Sequence, residues 1–510
     1  MMSWLSLERL LHLILLCSLT WPVMGSCLSR SFWRAFPGIA WRLSALTAAY
    51  LAGVVVLVVL APLSVLRGLA AIAIGLLILV HWYSAASHGR ARKWPPGSLR
   101  PFPVDEWFDR NFFLDQHRRH GSPFKTSQFV RPMACIVGLP NGMDFLREHD
   151  ASLSSPPLPS GRFIPGGLLR HMSPEKHAIT KEAFSKAIVP AVFEPLESFM
   201  RKTFRAELDR MVEAGIDSDG KGVRPRRHIQ RAVFDIWARL FFDIEPGTHE
   251  FARLKALYLT IDFRNRAGAS DDEVRAAIAD IEQLLKERNI ADVSSMNAAP
   301  ASILAAMSAN GRAPLDDPTV SGNLIYLMHF SWGDVSGLLQ WIFRMLTEHQ
   351  EWADRLRTAS ASNGSEESDA TSLSTRVVME TLRLEQMEHL YRVANQTIMH
   401  DGVVIPEGWL VRVCVRESHR DPAVFEDPEK FDPDRFLRRS YQRREYAPFG
   451  AGLRRACLGE GLSRHVGRIF AEEVARGYRW RTVADGAYEY GVWRHWRPSS
   501  DWRVMLTTAG

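Results

Sequence analysis

Ala447-Pro-Phe-Gly-Ala-Gly-Leu-Arg-Arg-Ala-Cys-Leu-Gly-Glu-Gly-Leu-Ser-Arg464 sets one cysteine, Cys457, between a glycine-rich approach and an amphipathic helix. Leu462, Val466, Ile469, Phe470 and Val474 recur at helical spacing after it, which puts Cys457 at the mouth of a buried helix. There the helix dipole, with Arg454 and Arg455 adding positive charge, biases a thiol toward thiolate. Gly459 and Gly461 are expected to keep the following turn uncrowded, and Gly450 and Gly452 permit positive φ, so the backbone can fold closely around the sulfur. Phe449 stands where an aromatic ring shields it. A lone cysteine in an apolar context is more often a small buried hydrophobe; these flanks argue instead for a metal-ligating thiolate.

Working outward, 510 residues of which 46% are hydrophobic can bury one large core or two ordinary ones. The net charge of +6 comes from 63 Lys and Arg against 57 Asp and Glu spread along the chain, so nothing marks a nucleic-acid surface. A basic patch for an acidic protein partner is compatible with that balance. The five cysteines, Cys17, Cys27, Cys135, Cys414 and Cys457, are scattered, odd in number and without CxxC spacing. That excludes a disulfide framework or structural zinc site and points to a reducing compartment.

Residues 1–92 differ in composition from the rest and read as a membrane anchor, with apolar segments at 10–24, 43–66 and 68–83. Leu43 to Leu66 carries no charge between Arg42 and Arg67 and has the length of a bilayer span. Arg90, Arg92 and Lys93 place the remainder on the cytosolic side by the positive-inside tendency. Lys93-Trp-Pro-Pro-Gly97 and Pro101-Phe-Pro103 form a stiff connector, and residues 93–510 a single catalytic domain.

Within that domain Val130 to Val137 reads as a short strand, and Asp150 to Gly167 as an irregular loop suited to a substrate lid. Helical patterns cover Pro174 to Ala214, Arg226 to Phe242, His249 to Thr260 and Asp271 to Asn289. The longest, Thr319 to Arg357, is apolar enough to cross the middle of the domain. Ser-rich Ala359 to Ser374 reads as a loop, Thr375 to Glu388 as a helix, Asp401-Gly402 as a hairpin turn, and Tyr478 to Thr508 as strands. The fold class is mainly α with small β-sheets.

Three separated motifs precede the cysteine. Glu380-Thr-Leu-Arg383 puts a carboxylate and a guanidinium on one helix face, and Phe431-Asp-Pro-Asp-Arg435-Phe436 brings a second arginine in a turn. Glu380, Arg383 and Arg435 are placed to form a buried three-way network. His419-Arg-Asp-Pro422 lies between them. An ExxR alone means little, but this order of motifs resembles the cytochrome P-450 family of heme-thiolate monooxygenases, in a divergent version of the membrane-anchored eukaryotic type.

The likeness covers roughly residues 93 to 510. It implies the cytochrome P-450 fold, an oxidoreductase activity, and a heme (iron protoporphyrin IX) whose axial metal ligand is Cys457. It assigns Arg455, His177, Lys181 and Arg392 to the heme carboxylates. It implies an NADPH-dependent reductase, a lipophilic small-molecule substrate, and an endoplasmic reticulum membrane with the catalytic domain facing the cytosol. The divergent central helix suggests secondary metabolism.

The departures concern chemistry. The spacing from Phe449 to Cys457 is one residue longer than the family's, and Leu384-Glu-Gln-Met lacks a proline that often follows the ExxR helix. The family's acid-and-alcohol pair in the central helix is replaced by Phe330-Ser-Trp-Gly-Asp-Val-Ser336, without the usual threonine. Asp334 with Ser336 and a water can deliver protons, or the substrate's own hydroxyl can stand in for the alcohol. Alternatively the enzyme is an isomerase, dehydratase or peroxide-using catalyst without a reductase, and a non-catalytic electron-transfer or sensor protein is the reading outside enzymes.

Overall fold

The computed structural model describes residues 7–18, 37–72, 74, 93–99, 109–128, 131–156, 159–262, 269–292, 301–309, 314–361, 372–385, 390–450, 456–490 and 495–509. Helices α1 (Leu7–Ser18) and α2 (Pro37–Leu60) pack together at the N-terminus through Leu16, Val54 and Val58, and Leu66 joins them. Arg9 donates to the carbonyls of Val58, Val59 and Ala61, covering the end of α2.

Among the described residues no helix is long and apolar enough to cross a membrane. The expected transmembrane region therefore finds no support in a spanning helix among the described residues. The described part of the first apolar segment, residues 10–18, lies in α1, about 18 Å long. The second lies in the end of α2, Leu43 to Leu60, and resumes as helix from Leu63, with Pro62 between the two. Residues 19–36, 73 and 75–92, including Arg90 and Arg92, lie outside the described residues.

The domain that follows joins a β-rich lobe to a larger helical one. Helix α3 (Phe112–His120) precedes β1 (Phe124–Gln128) and β2 (Arg131–Ile136), and α4 (Leu139–Glu148) leads to β3 (Leu153–Ser154). The chain returns to this lobe with β4 (Leu390–Ala394), the hairpin β5 (Ile398–His400) and β6 (Val403–Ile405), and β7 (Leu410–Val413). A five-stranded sheet runs β1-β2-β7-β4-β3, and β2 against β7 is its parallel pair, Met133 opposite Leu410. Asp401 and Gly402 sit at φ 48° and 74°, the left-handed conformations that a two-residue hairpin turn matching the strand twist requires.

The helical lobe contains α5 (Pro174–Ser185), α6 (Glu197–Ile216), α7 (Pro225–Phe242), α8 (His249–Ile261), α9 (Asp271–Asp292) and α10 (Ile303–Ala309). Through its centre runs α11 (Pro318–Glu348), followed by α12 (Gln350–Ala361), α13 (Leu373–Leu384) and α14 (Glu460–Gly477). The side chain of Asp317 caps α11 by accepting from Thr319 N at 2.8 Å, with Pro318 in the first turn where its missing N–H is harmless. Leu324, Leu339, Trp341 and Leu346 are fully buried on α11, which packs on α7, α13 and α14. Strands β8 (Tyr478–Ala484) and β11 (Arg503–Thr508) pair antiparallel near the C-terminus, and β9 (Glu489–Tyr490) pairs with β10 (Trp496–Arg497).

Several boundaries differ from the sequence reading. The pattern Thr319 to Arg357 is two helices, because His349 leaves helical geometry at φ −126°, ψ 67°. Helix α13 stops at Leu384 rather than Glu388. The loop from Asp150 is not wholly irregular: Leu153 and Ser154 pair with Ala394 and Val393, and short 3-10 turns surround them.

Candidate active site

Helix α14 begins at Glu460 with Gly459 as its N-cap, so Cys457 stands just ahead of the helix, and it is exposed. Its own N–H donates to the Phe449 carbonyl at 3.1 Å, closing the loop into a ring around the approach segment. Gly450, inside that ring, has φ 95° and its N–H donates to the Ala447 carbonyl, a conformation that needs glycine. Phe449 packs on the main core, with the Arg464 guanidinium 5.7 Å from its ring centre. Residues 451–455, Gly452, Arg454 and Arg455 among them, lie outside the described residues.

The expected roles of two glycines change. A Cβ at Gly459 would stand 3.8 Å from Cys457 Sγ, and one at Gly461 would stand 3.9 Å from the Phe193 ring. Both are ordinary contacts, so the turn after the cysteine does not depend on them.

Helix α5 reaches the loop from the other side. Ser173 caps it and Pro174 opens it, which orients His177 and Lys181 one turn apart. Lys181 Nζ donates to the Ala456 carbonyl at 3.1 Å, next to the cysteine, and His177 is buried. Burial pulls Lys181 below its ordinary pKa, and attraction to the Cys457 thiolate opposes that. Arg392, on β4, places Nη1 2.7 Å from the Tyr391 carbonyl. An exposed thiol at a helix mouth with a lysine beside it suits an iron porphyrin carrying acid groups, so the donor set fits a heme.

Behind the loop lies the carboxylate network. Glu380 Oε2 accepts from Arg383 Nε at 2.8 Å, and its Oε1 accepts from Arg383 Nη2 at 2.9 Å, Arg435 Nε at 3.0 Å and Asp432 N at 2.9 Å. Arg383 also donates to the His419 and Lys430 carbonyls, and Arg435 to those of Glu426, Asp427 and Lys430. Glu380 and Arg383 are 0% exposed and Arg435 2%. The structure therefore brings these three side chains together and spends their remaining hydrogen-bonding capacity on the backbone of residues 419–432. Two cations sharing one carboxylate in a buried site hold geometry rigidly, because each donor finds an acceptor.

His419 is the functional residue to which sequence reasoning gave no role. Its Nε2 accepts the Ala447 N–H at 3.0 Å, at the first residue of the cysteine stretch, and its Nδ1 lies 3.3 Å from the Arg383 carbonyl. Acceptance at Nε2 puts the proton on Nδ1, so this imidazole is neutral and bridges the end of α13 to the loop. Burial, then the Arg383 charge, pushes its pKa down to about 3. Tyr446 stacks on it at 5.2 Å and donates its own hydroxyl to the Met379 carbonyl. Only the His-Arg-Asp-Pro spacing hinted at this bridge.

Across the domain, Asp334 and Ser336 are both on α11 but on different faces. Asp334 is exposed, whereas Ser336 is fully buried with its Oγ lacking a hydrogen-bond partner. Residues two apart on a helix do not face each other, so the structure does not bring these two groups together. The carbonyl of Gly333 is held by Arg497 Nη2 at 2.8 Å, and that of Ser336 by Gln340 Nε2 at 2.8 Å.

A family model described as Cytochrome P450 matches residues 271–488. The putative cytochrome P450 120 of Synechocystis sp. is 25% identical over 428 residues, 78% of this chain and 92% of that protein. An abscisic acid 8'-hydroxylase, CYP707A1, of Solanum lycopersicum is 23% identical over 445 residues, covering 80% of this chain and 90% of that protein. Cytochrome P450 26B1 of Danio rerio is 25% identical over 427 residues, covering 76% and 81%. The solved structure of retinoic acid bound cyanobacterial CYP120A1 superposes with a TM-score of 0.67 at 22% identity, over 82% of this chain and all of that one, a likeness of fold.

Proposed function

This chain belongs to the cytochrome P450 family, and from that premise we propose that Cys457 is the axial ligand of its heme and that its substrate is a lipophilic small molecule it hydroxylates. The enzyme is a monooxygenase-type oxidoreductase with a heme-thiolate cofactor. The observation that carries the assignment is the exposed Cys457 held ahead of α14 by its bond to Phe449 and flanked by Lys181. When bound, the heme supplies the binding and reductive activation of dioxygen.

The chain's own residues do the rest. The Glu380–Arg383–Arg435 network and His419 fix the backbone leading to Cys457, which would hold the heme through its thiolate. Lys181 and His177 supply positive charge or hydrogen bonds to the heme carboxylates, with Arg392 and Arg455 assigned there by family resemblance. Asp334 holds the proton-donating position on α11, and with Ser336 turned into the core the second group of the relay is water or a substrate hydroxyl.

Electrons come from an NADPH-dependent reductase, as members of the family draw on redox partners. The name of one relative, an abscisic acid 8'-hydroxylase, and the retinoic acid bound in the superposed structure support a lipophilic acid of medium size as substrate, and the divergent α11 supports a place in secondary metabolism. Exposed Leu11, Ile14, Val55, Val56, Val59 and Leu60 on α1 and α2 support contact of this region with a membrane, that of the endoplasmic reticulum.

The test is direct. Purified protein with reductase and NADPH should consume oxygen and hydroxylate members of a panel of lipophilic acids. Cys457→Ser should abolish the red-shifted carbon monoxide band of the reduced heme; survival of the band removes Cys457 as ligand. NADPH-independent turnover would favour the isomerase, dehydratase or peroxide-using alternative instead.

A further inference from the structure

We propose that Glu148, His149 and His400 form a binding site for one divalent transition-metal ion, zinc by the character of the donor set, in the β-rich lobe and separate from the heme. Their donor atoms all lie within 4.8 Å of one another. Glu148 Oε2 is 3.8 Å from His149 Nε2 and 3.9 Å from His400 Nδ1. Zinc bonds of about 2.0–2.2 Å hold tetrahedral ligands roughly 3.4 Å apart, so an ion between them draws the triad in by ~0.5 Å on the Glu148 side.

The backbone presets the donors. Glu148 ends α4 and His149 is its C-cap, while His400 ends β5 at the Asp401-Gly402 turn. The two imidazoles are locked against the fully buried Phe145 ring, whose centre lies 5.0 Å from that of His149 and 4.9 Å from that of His400.

Their hydrogen-bonding state is that of ligands awaiting an ion. His149 Nε2 is buried and has no hydrogen-bond partner, and a buried polar atom is seldom left so in a native protein. The His400 side chain is 9% exposed, and its Nε2 lies 3.5 Å from the Asp401 carboxylate while Nδ1 turns toward Glu148. His400 Nε2 is buried and makes no hydrogen bond to that carboxylate, so both rings carry a buried nitrogen without a partner. Two imidazoles and one carboxylate leave a fourth position for water. The ion would fasten the end of α4, where the Asp150 loop begins, to the β5–β6 turn.

The probe is zinc itself, titrated calorimetrically into the tag-free heme-loaded protein after removal of adventitious metal, with the zinc-to-heme ratio measured after desalting. One zinc per heme is expected, with affinity falling at least tenfold in Glu148→Gln and in His149→Gln and unchanged in His249→Gln, an exposed histidine elsewhere. The Glu148 side chain is 64% exposed, so its replacement tests the site even if His149→Gln fails to fold. No stoichiometric zinc, equal affinity in Glu148→Gln, or an equal loss in His249→Gln would overturn the assignment.

Discussion

Exchange of Glu380 for glutamine removes one negative charge and almost no volume from the centre of the network behind the cysteine loop. In the native protein its two oxygens take four donors, three from Arg383 and Arg435 and one from the Asp432 backbone. A glutamine has one acceptor oxygen, and its amide must point two N–H groups at guanidinium or backbone donors. Two buried cations are then left without a counter-charge, a change that costs about 3–5 kcal/mol when one partner of a buried pair is removed. Whole-protein stability is only about 5–15 kcal/mol, so this is roughly a fifth or more of it. Urea unfolding of the heme-loaded protein, followed in parallel by heme absorbance and far-ultraviolet circular dichroism, measures the loss. Glu380→Asp keeps the charge but shortens the reach, and should lie between wild type and Glu380→Gln. A Glu380→Gln midpoint that implies less than about 1 kcal/mol would refute the reasoning, because a buried unpaired charge cannot be that cheap.

Three further outcomes follow from the same geometry. His419 has its pKa held at about 3 in the folded state, below the unfolded value near 6.5, so the unfolded chain binds the extra proton between these values. Stability contributed by this residue is present above pH 6.5 and falls by about 1.4 kcal/mol per unit as pH drops toward 3. Urea midpoints of wild type and His419→Phe across that window should show the mutant curve shallower by this slope, and parallel curves would contradict the neutral bridge. Asp334→Ala should lower the ratio of hydroxylated product to NADPH consumed; an unchanged ratio removes Asp334 from proton delivery. Gly142→Ala puts a methyl carbon 2.4 Å from Val413 Cγ1, and thermal melting should show a loss of about 1–3 kcal/mol from overpacking between α4 and β7.

Much of the architecture is legible in the chain because burial imposes a period. The helices from Pro225 to Asp292 follow the apolar spacing closely, since each has one face on the core and caps or charges at its ends. The break at His349 is not legible, because no Gly or Pro marks it and the apolar period continues across it. In the site, Glu380 and Arg383 are readable as a pair since three residues separate them on a helix, and Arg435 by its motif. His419 is not, since its acceptor is used by Ala447, whose approach depends on tertiary contacts. Asp334 and Ser336 are not brought together for a local reason: helical geometry separates their directions before any packing is considered. The second apolar segment is divided at Pro62, a residue visible in the sequence whose effect, kink or break, is decided by the backbone around it.

The parallel pairing of β2 with β7 also sets a clock on biosynthesis. Arg131 and Gly408, which meet at the sheet, are 277 residues apart in the chain. At translation rates of about 5–20 residues per second, the ribosome needs roughly 14–55 s to make the intervening polypeptide. Throughout that interval the β1–β2 hairpin can form, but the β2 edge that will receive β7 has no native partner. Unpaired strand edges recruit other chains, so the nascent protein carries an open pairing edge for the whole of that window.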